Sequence, residues 1–310
     1  LTEGLHAKGI DVTLFATSDS ITNARLDATS SVPYAEDNQV DPKVAECLHI
    51  SNVMEKAGQF DLIHNHFDFL PLTYSNLIKT PVLTTIHGFS SPKILEVYRK
   101  YNSTTSYVSI SDSDRHADLD YLATVYNGID SAQFQYSPLP QDYLIFFGRI
   151  HPDKGTKEAI QIALGSNRKL IIAGLIQDHS YFEQEVKPHI DNQQIFYQGN
   201  VGPQERTKLL GMAYAMLHPI LFEEPFGLSV AESMFCGTPV IAFKRGSMSE
   251  LILDKKTGFL VDTVDEAVKA VAQIEHIQRL DCLQWAESMF SNSQMVDNYI
   301  TVYEKILRLR

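Results

Sequence analysis

The sequence has 310 residues, enough for two domains of ordinary size that each bury a hydrophobic core. Hydrophobic residues make up 44% and charged residues 21%, as in globular proteins, and no apolar run approaches the roughly 20 residues that a membrane span needs. The sequence therefore predicts no integral membrane segment. The formal net charge of −12 argues against a nucleic-acid surface, which relies on clustered Lys and Arg, so any anionic ligand must be held by local positive groups.

The amino-terminal stretch "LTEGLHAKGIDVTLFATSDS" has no initiator Met and no signal peptide, and it reads as the end of a helix followed by a strand. We therefore expect that a segment before it is missing. Three cysteines, Cys47, Cys236 and Cys282, lie far apart and without metal-binding spacing. This usage fits a reducing compartment and predicts a cytoplasmic protein.

Short apolar runs rich in β-forming residues alternate with helical stretches throughout the chain. They are "IDVTLFA", "FDLIHNH", "PVLTTIH", "YVSIS" and "ATVYNG" in the first half, then "YLIFFGR", "KLIIAG", "QIFYQGN", "YAMLHP" and "TPVIAF" in the second. Unbroken apolar strands separated by helices are typical of parallel sheets covered on both faces. Because the pattern occurs twice, the sequence predicts two α/β domains, each with a parallel sheet.

A linker between the two series is predicted in "NGIDSAQFQYSPLPQD", where Pro, Gly and polar residues interrupt both periodicities. We place the domain boundary there, giving an amino-terminal domain at 1–139 and a second domain at 140–285. The tail "MVDNYITVYEKILRLR" has apolar residues at helical spacing. We expect the segment 286–310 to form a helix that packs back toward the first domain.

The strand "YLIFF" is followed by the strongest candidate anion site. Gly148 lets the backbone turn closely, Arg149 follows it, and Lys154 and Gly155 precede a helical stretch. Two cations near a helix amino terminus combine fixed charge, amide donors and the helix dipole. The alternative is a surface loop with two solvated cations.

The stretch "EEPFGLSVAE" follows the strand "YAMLHP" and carries three carboxylates. Pro225 suits a first helical turn, so we predict a helix that begins near an exposed Phe226, with the amides of Phe226, Gly227 and Leu228 as unsatisfied donors for an anion.

Two of these carboxylates are candidate ligands for hydroxyl groups. Glu232 lies about 9 Å along the predicted helix from Phe226, roughly the separation between a diphosphate and the ribose hydroxyls of one nucleotide. Glu224, just before the helix, would face the sugar. The alternatives are an N-cap-like role for Glu224 and a solvated Glu232.

Five motifs in this order, "FFGRIHPDKG", "QGNV…E…LL", "EPFGLSVAES", "GTPVIAF…GSMSE" and "TGFLV", resemble the donor half of glycosyltransferase family 4. The resemblance extends from about Asp11 to the carboxyl terminus. It implies the GT-B architecture, two Rossmann-like parallel-sheet domains facing across a cleft, and a retaining glycosyltransferase. Family members begin with a strand and a glycine-rich loop that this sequence does not contain, so site residues there cannot be named.

The resemblance also implies roles for particular residues. Arg149 and Lys154 match the pair that grips the donor diphosphate, with Gly148 beside them, and Glu232 matches the ribose-binding glutamate. Val201 matches the position whose backbone meets the nucleobase. The amides of Phe226, Gly227 and Leu228 match those that contact sugar and phosphate.

Glu224 and His87 match the residues beside the transferred sugar, and we predict both as catalytic residues. His87 follows the strand "PVLTTI", where the family histidine faces the acceptor. His64 and His66 have a spacing that could suit a metal, but no second ligand cluster accompanies them. We interpret them as a strand end and predict no metal site.

The predicted reaction is the metal-independent transfer of a hexose from a nucleoside diphosphate sugar, a UDP- or GDP-hexose, to a hydroxyl acceptor. That acceptor is a small molecule, a glycan or a lipid-linked group, and no cofactor or nucleic acid is required. One alternative is a metal-dependent transferase of the GT-A architecture that uses Asp112 and Asp114. Another is a non-catalytic bilobed protein that binds a sugar or nucleotide.

Overall fold

The computed structural model of the protein describes residues 1–37 and 39–308. The chain forms two compact units. The N-terminal unit comprises Leu1–Ile110, Arg115–Gly128 and Asn292–Arg310, and the C-terminal unit comprises Ser111–Asp114 and Ile129–Ser291. The domain boundaries predicted at residues 139 and 285 stay predictions.

The strands all pair in parallel, and in chain order they are β1 Thr13–Phe15, β2 Arg25–Asp27, β3 Ile63–Asn65, β4 Val82–Ile86, β5 Ser106–Ser109, β6 Tyr121–Thr124, β7 Tyr143–Phe147, β8 Lys169–Ala173, β9 Ile195–Gly199, β10 Ala215–His218, β11 Val240–Phe243 and β12 Gly258–Val261. Each predicted apolar run overlaps one of these strands. The strands β2 and β12 were not predicted, because β2 lies in a polar stretch and β12 was seen only as a motif.

The helices are α1 Thr2–Ala7, α2 Pro42–Glu55, α3 Leu95–Tyr101, α4 Thr156–Gly165, α5 His179–Tyr181, α6 Pro203–Met212, α7 Leu228–Phe235, α8 Met248–Leu251, α9 Val264–Val271, α10 Arg279–Phe290 and α11 Asn292–Arg308. Short 3₁₀ segments lie at Ala57–Gln59, Leu70–Leu77, Pro92–Ile94, Ser131–Gln133, Pro152–Lys154, Lys187–His189 and Ile274–His276, and a π turn lies at Phe182–Val186. Within the described part of the chain, no helix has the length and apolar character needed to cross a membrane.

The N-terminal unit has a four-stranded sheet in the order β3-β4-β5-β6 and a separate pair, β1-β2. Every residue of β4 is buried, as expected for a strand covered on both faces. The helix α11 supplies part of the core of this unit, because Tyr299, Val302 and Ile306 pack with Leu83 and Val108 of the sheet. The last helix of the chain therefore belongs to the same core as β4 and β5.

The C-terminal unit has one six-stranded parallel sheet in the order β12-β11-β10-β7-β8-β9. Numbered from its own first strand, this is the order 3-2-1-4-5-6 of a doubly wound Rossmann fold. The chain proceeds from β7 toward one edge and then returns to β10, which also pairs with β7. The order of the strands therefore reverses between β7 and β10, and that is where such sheets bind ligands.

Candidate functional site

The carboxyl ends of β7 and β10 flank the point where the strand order reverses. Gly148 and Arg149 follow β7, and His218 is the last residue of β10. The segment after β7 makes a short 3₁₀ turn at Pro152–Lys154 and then enters α4. The segment with the predicted cations and the segment with the predicted amide donors therefore follow neighbouring strands of the sheet.

The segments after β7 and β10 approach so closely that only glycine fits at the start of α4. Gly155 has a φ of +73°, and a Cβ there would lie 1.9 Å from the carbonyl oxygen of Pro219. The amide of Leu221 also donates to the carbonyl oxygen of Asp153 over 2.8 Å. This packing fixes Lys154 against the segment that carries Glu224.

Lys154 and Glu224 form an ion pair. The distance from Lys154 Nζ to Glu224 Oε2 is 2.5 Å, and the two side chains are only 15% and 13% exposed. The ammonium group also lies 4.7 Å from the ring centroid of Phe222. Because a mostly buried ammonium and carboxylate are stable only when paired, each group depends on the other.

His218 faces the same carboxylate and was not predicted from the sequence. Its Nε2 lies 3.9 Å from Glu224 Oε2, and the residue is 5% exposed. Burial lowers the pKa of His218 to about 3, with a smaller contribution from the charge of Lys154, so the ring is neutral at physiological pH. Nε2 is buried and has no hydrogen-bond partner among the described residues.

A turn from the "GSMSE" motif holds the backbone around Glu224. The amide of Ser247 donates to the carbonyl oxygen of Glu224 over 3.0 Å, and the Ser247 hydroxyl donates to that of Phe226 over 2.6 Å. Gly246 has a φ of +53°, and a Cβ on it would lie 2.3 Å from the Glu224 carbonyl oxygen. This is a structural reason for a Gly-Ser pair in that motif.

The predicted start of the helix after Glu224 is wrong. The helix α7 begins at Leu228, and Gly227 precedes it in a left-handed conformation with a φ of +92°. Pro225 therefore lies outside the helix. Phe226 is not exposed. The residue is 3% exposed, and its ring packs edge-on against the Phe290 ring with the two centroids 5.7 Å apart. The left-handed backbone before α7 favours glycine at position 227.

Glu232 lies on α7 with its side chain 13% exposed, and it is paired rather than solvated. Arg206 Nη1 of α6 lies 3.2 Å from Glu232 Oε1, and the guanidinium carbon of Arg206 lies 4.9 Å from the ring centroid of Phe134. Burial raises the pKa of Glu232, while the Arg206 charge opposes that shift. The sequence reasoning missed Arg206, although it stands inside the "QGNV…E…LL" motif.

The other predicted donor-binding residues lie apart from the Lys154–Glu224 pair. Arg149 is exposed, and its Nη1 donates to Gln177 Oε1 over 2.6 Å. Val201 lies between β9 and α6, and Leu228 is 51% exposed at the first position of α7. The structure thus joins Lys154 to Glu224, and within residues 1–37 and 39–308 no hydrogen bond or ion pair joins Arg149 or Glu232 to them.

His87 lies in the N-terminal unit directly after β4, and it is not alone. Its Nε2 lies 3.0 Å from Nδ1 of His66, and the His66 and His64 rings are 4.0 Å apart. His64 also contacts the hydroxyls of Tyr303 and Thr85, each at 2.7 Å.

Desolvation is the main reason why the pKa of each of these three histidines lies below its usual value, and it lowers that of His66 to about 4. The cluster is therefore neutral near pH 7. No group of three or more His, Cys, Asp or Glu side chains in the described ranges is arranged to hold a metal ion.

Both halves of the chain match models of known protein families. Residues 130–288 match the family model described as glycosyl transferases group 1, and residues 1–133 match that described as Glycosyltransferase Family 4. The chain belongs to the family 4, group 1 glycosyltransferases. The match confirms the predicted family.

Curated relatives of this glycosyltransferase differ in substrate. It is 27% identical over 309 residues to an N-acetyl-alpha-D-glucosaminyl L-malate synthase of Bacillus anthracis, covering 84% of this chain and 80% of the relative. It is 25% identical over 250 residues to a D-inositol 3-phosphate glycosyltransferase of Arthrobacter, covering 66% and 59% respectively. The chain thus spans less than two thirds of the Arthrobacter relative.

Solved structures confirm the predicted GT-B fold. Sucrose-phosphate synthase from Thermosynechococcus elongatus matches with a TM-score of 0.79 at 17% identity, covering 100% of this chain and 92% of that one. Anabaena HepE in complex with UDP and glucose matches with a TM-score of 0.72 at 19% identity, covering 91% and 86%. The alternative of a GT-A architecture is therefore wrong.

Proposed function

We propose that this glycosyltransferase moves a hexose from a nucleoside diphosphate sugar to a hydroxyl acceptor with retention of the anomeric configuration. The observation that carries the proposal is the Lys154–Glu224 ion pair at the strand-order reversal. It supports the proposal because an ammonium group, a suitable ligand for phosphate, and a carboxylate, a suitable acceptor for sugar hydroxyls, lie side by side where Rossmann sheets bind ligands.

Bond cleavage at the donor is the demanding step, because negative charge grows on the departing diphosphate. Lys154, Arg149 and the first-turn amide of Leu228 are the groups that would stabilise this charge. Fixed cations and amides can do so without a divalent metal, so we propose metal-independent transfer.

We further propose that the acceptor hydroxyl attacks from the face that the diphosphate leaves and passes its proton to the departing phosphate oxygen. Glu224 would hold sugar hydroxyls and His87 would orient the sugar and acceptor. Glu232, which is paired with Arg206, would accept hydrogen bonds from the ribose, and the backbone at Val201 would meet the base.

The donor is proposed to be a UDP- or GDP-hexose, and UDP is the first nucleotide to test because HepE is described with UDP and glucose. The acceptor is proposed to be a small molecule, a glycan or a lipid-linked hydroxyl, since the relatives' names differ on this point.

The three free cysteines, two of them buried, favour a cytoplasmic location.

The experiment has two stages. A thermal-shift screen of UDP, GDP and ADP identifies the nucleotide, because a ligand that binds only the folded protein raises its melting temperature. Release of that nucleotide from matching sugar donors is then measured with and without candidate acceptors, in excess EDTA. Product NMR reports the anomeric configuration.

The matched variants are Arg149→Ala and Lys187→Ala. Both remove an exposed cation of the C-terminal unit, but the ion-pair partner of Lys187 among the described residues is Glu183, four residues earlier in the chain. We expect Arg149→Ala to lower turnover by about a hundredfold, as for loss of one transition-state donor, and Lys187→Ala to leave it unchanged. Equal turnover in both variants would remove the diphosphate role, and inversion of configuration would refute the retaining mechanism.

A further inference from the structure

Glu224 must change partner when a donor binds. In the structure its Oε2 neutralises Lys154, whose ammonium group is the proposed ligand of the diphosphate. If phosphate oxygens take over Lys154, Glu224 loses its ion-pair partner while only 13% of its side chain is exposed. A carboxylate in such a place stays ionised only if another donor replaces the lost one.

His218 is placed to supply that donor. Its Nε2 lies 3.9 Å from the same Oε2 atom, so a shift of about 1 Å would bring the two atoms to hydrogen-bond distance. Nε2 is otherwise buried without a partner in the described part of the chain, which is rare for a polar atom in a folded protein. A neutral imidazole with its proton on Nε2 donates one hydrogen bond and adds no positive charge beside Lys154.

We infer that His218 is a positioning residue for Glu224: it donates Nε2–H to Oε2 once the donor diphosphate has drawn Lys154 away, which leaves Oε1 to accept a hydroxyl of the hexosyl group. This inference rests on the proposed function. It assigns His218 to recognition of the sugar and not of the base or ribose. His218 lies near Glu224 because it is the last residue of β10 and Glu224 lies in the segment that follows β10.

The test compares His218→Phe, which keeps the ring volume and removes the donor, with His218→Gln, which restores an N–H donor. For each protein, the dissociation constant of the nucleoside of the selected nucleotide, uridine in the case of UDP, is measured beside kcat and KM for the sugar donor. The nucleoside carries no phosphate that would draw Lys154 away from Glu224. We expect His218→Phe to bind the nucleoside within about twofold of wild type and to lose about ten- to a hundredfold in kcat/KM, the range for a hydrogen bond to a charged group. His218→Gln should recover most of that loss.

Three results would overturn the inference: wild-type kinetics in His218→Phe, an equal loss of nucleoside affinity and kcat/KM, or no recovery in His218→Gln. In the wild type, ¹⁵N NMR of the histidine rings provides a test that needs no variant. Sugar donor should move the His218 Nε2–H signal downfield while the ring stays neutral, and an unchanged signal contradicts the inference. A wild type that releases no nucleotide from any sugar donor refutes the proposed function instead.

Discussion

At the scale of single residues, the site is organised by pairs of charges that are nearly buried. Lys154 pairs with Glu224 and Arg206 pairs with Glu232, and none of the four side chains is more than 23% exposed. Such pairs add little net stability over apolar residues, but removing one partner leaves an uncompensated charge. Substitution of any one of these four residues is therefore expected to destabilise the protein.

The Lys154–Glu224 pair gives a prediction about stability. Lys154→Ala should lower the free energy of unfolding by about 3 kcal/mol, because Glu224 stays buried without its counter-ion. The double variant Lys154→Met, Glu224→Gln should recover most of this loss, since neither charge remains. Guanidinium unfolding measures both, with Lys187→Ala as the control at about 0.5 kcal/mol or less. A double variant as unstable as the single one would show that the charge is not the cause.

At the scale of elements, one glycine determines how the segment after β7 meets the segment after β10. Gly155 joins the 3₁₀ turn Pro152–Lys154 to α4, has a φ of +73° and leaves no room for a Cβ beside Pro219. Gly199, at the end of β9, has the same φ of +73° with nothing within 4 Å of its Cβ position. A side chain at either position would strain the backbone, but only a side chain at position 155 would also clash with a neighbouring segment.

Alanine at these two positions should therefore have unequal effects. Gly199→Ala should cost about 1 kcal/mol, the cost of holding an L-residue in the left-handed region. Gly155→Ala should cost at least about 3 kcal/mol, because the new methyl group also forces the Pro219 carbonyl to move. Melting temperatures and denaturant midpoints of the two variants measure the difference, and equal losses would contradict the close approach of the two segments.

At the scale of the whole molecule, both units bury neutral histidines, which makes the fold sensitive to acid. His218 lies in the C-terminal unit and His64 in the N-terminal unit, and burial is the main cause that lowers the pKa of each. Below pH 6.5 the unfolded chain binds protons that the folded chain does not bind until its lower pKa is reached. Stability is therefore fully present above pH 6.5 and is lost as the pH falls below it.

The pH dependence can be assigned to a residue. For His218 the free energy of unfolding should fall by up to about 1.4 kcal/mol per pH unit below pH 6.5, down toward its folded-state pKa of about 3. His218→Gln should flatten the dependence between pH 6.5 and 4.5, whereas His189→Gln, at an exposed position, should not. Chemical unfolding at four pH values measures the slopes, and parallel slopes for wild type and His218→Gln would refute the assignment.

The fold was largely predictable from the sequence because its evidence is local. A run such as Tyr143–Phe147 shows by its own composition that it is buried on both faces, and the alternation of such runs with helices indicates parallel sheets. Arg149 and Lys154 were predicted as anion ligands in the same way, because they follow a recognisable strand and precede a helix. The resemblance to the family motifs then implied binding and catalytic roles for particular residues, which the spacing of residues alone does not indicate.

The partners within the site were not predictable, because they are set by the order of strands in the sheet. Lys154 and Glu224 are 70 residues apart and meet because β7 and β10 are neighbours, and that same pairing brings His218 to them. The burial of Phe226 and the later start of α7 likewise depend on a core that includes Phe290 from α10.

The sequence by itself thus determined which segments are strands, which helices pack and which residues could carry charge, since each of these follows from side chains close together in the chain. Tertiary structure alone decided which charges neutralise each other, which glycines allow two backbones to touch and which core the last helix completes. The physical reason is that ion pairing and steric exclusion depend on distances in space, and neighbours in space are chosen here by sheet topology.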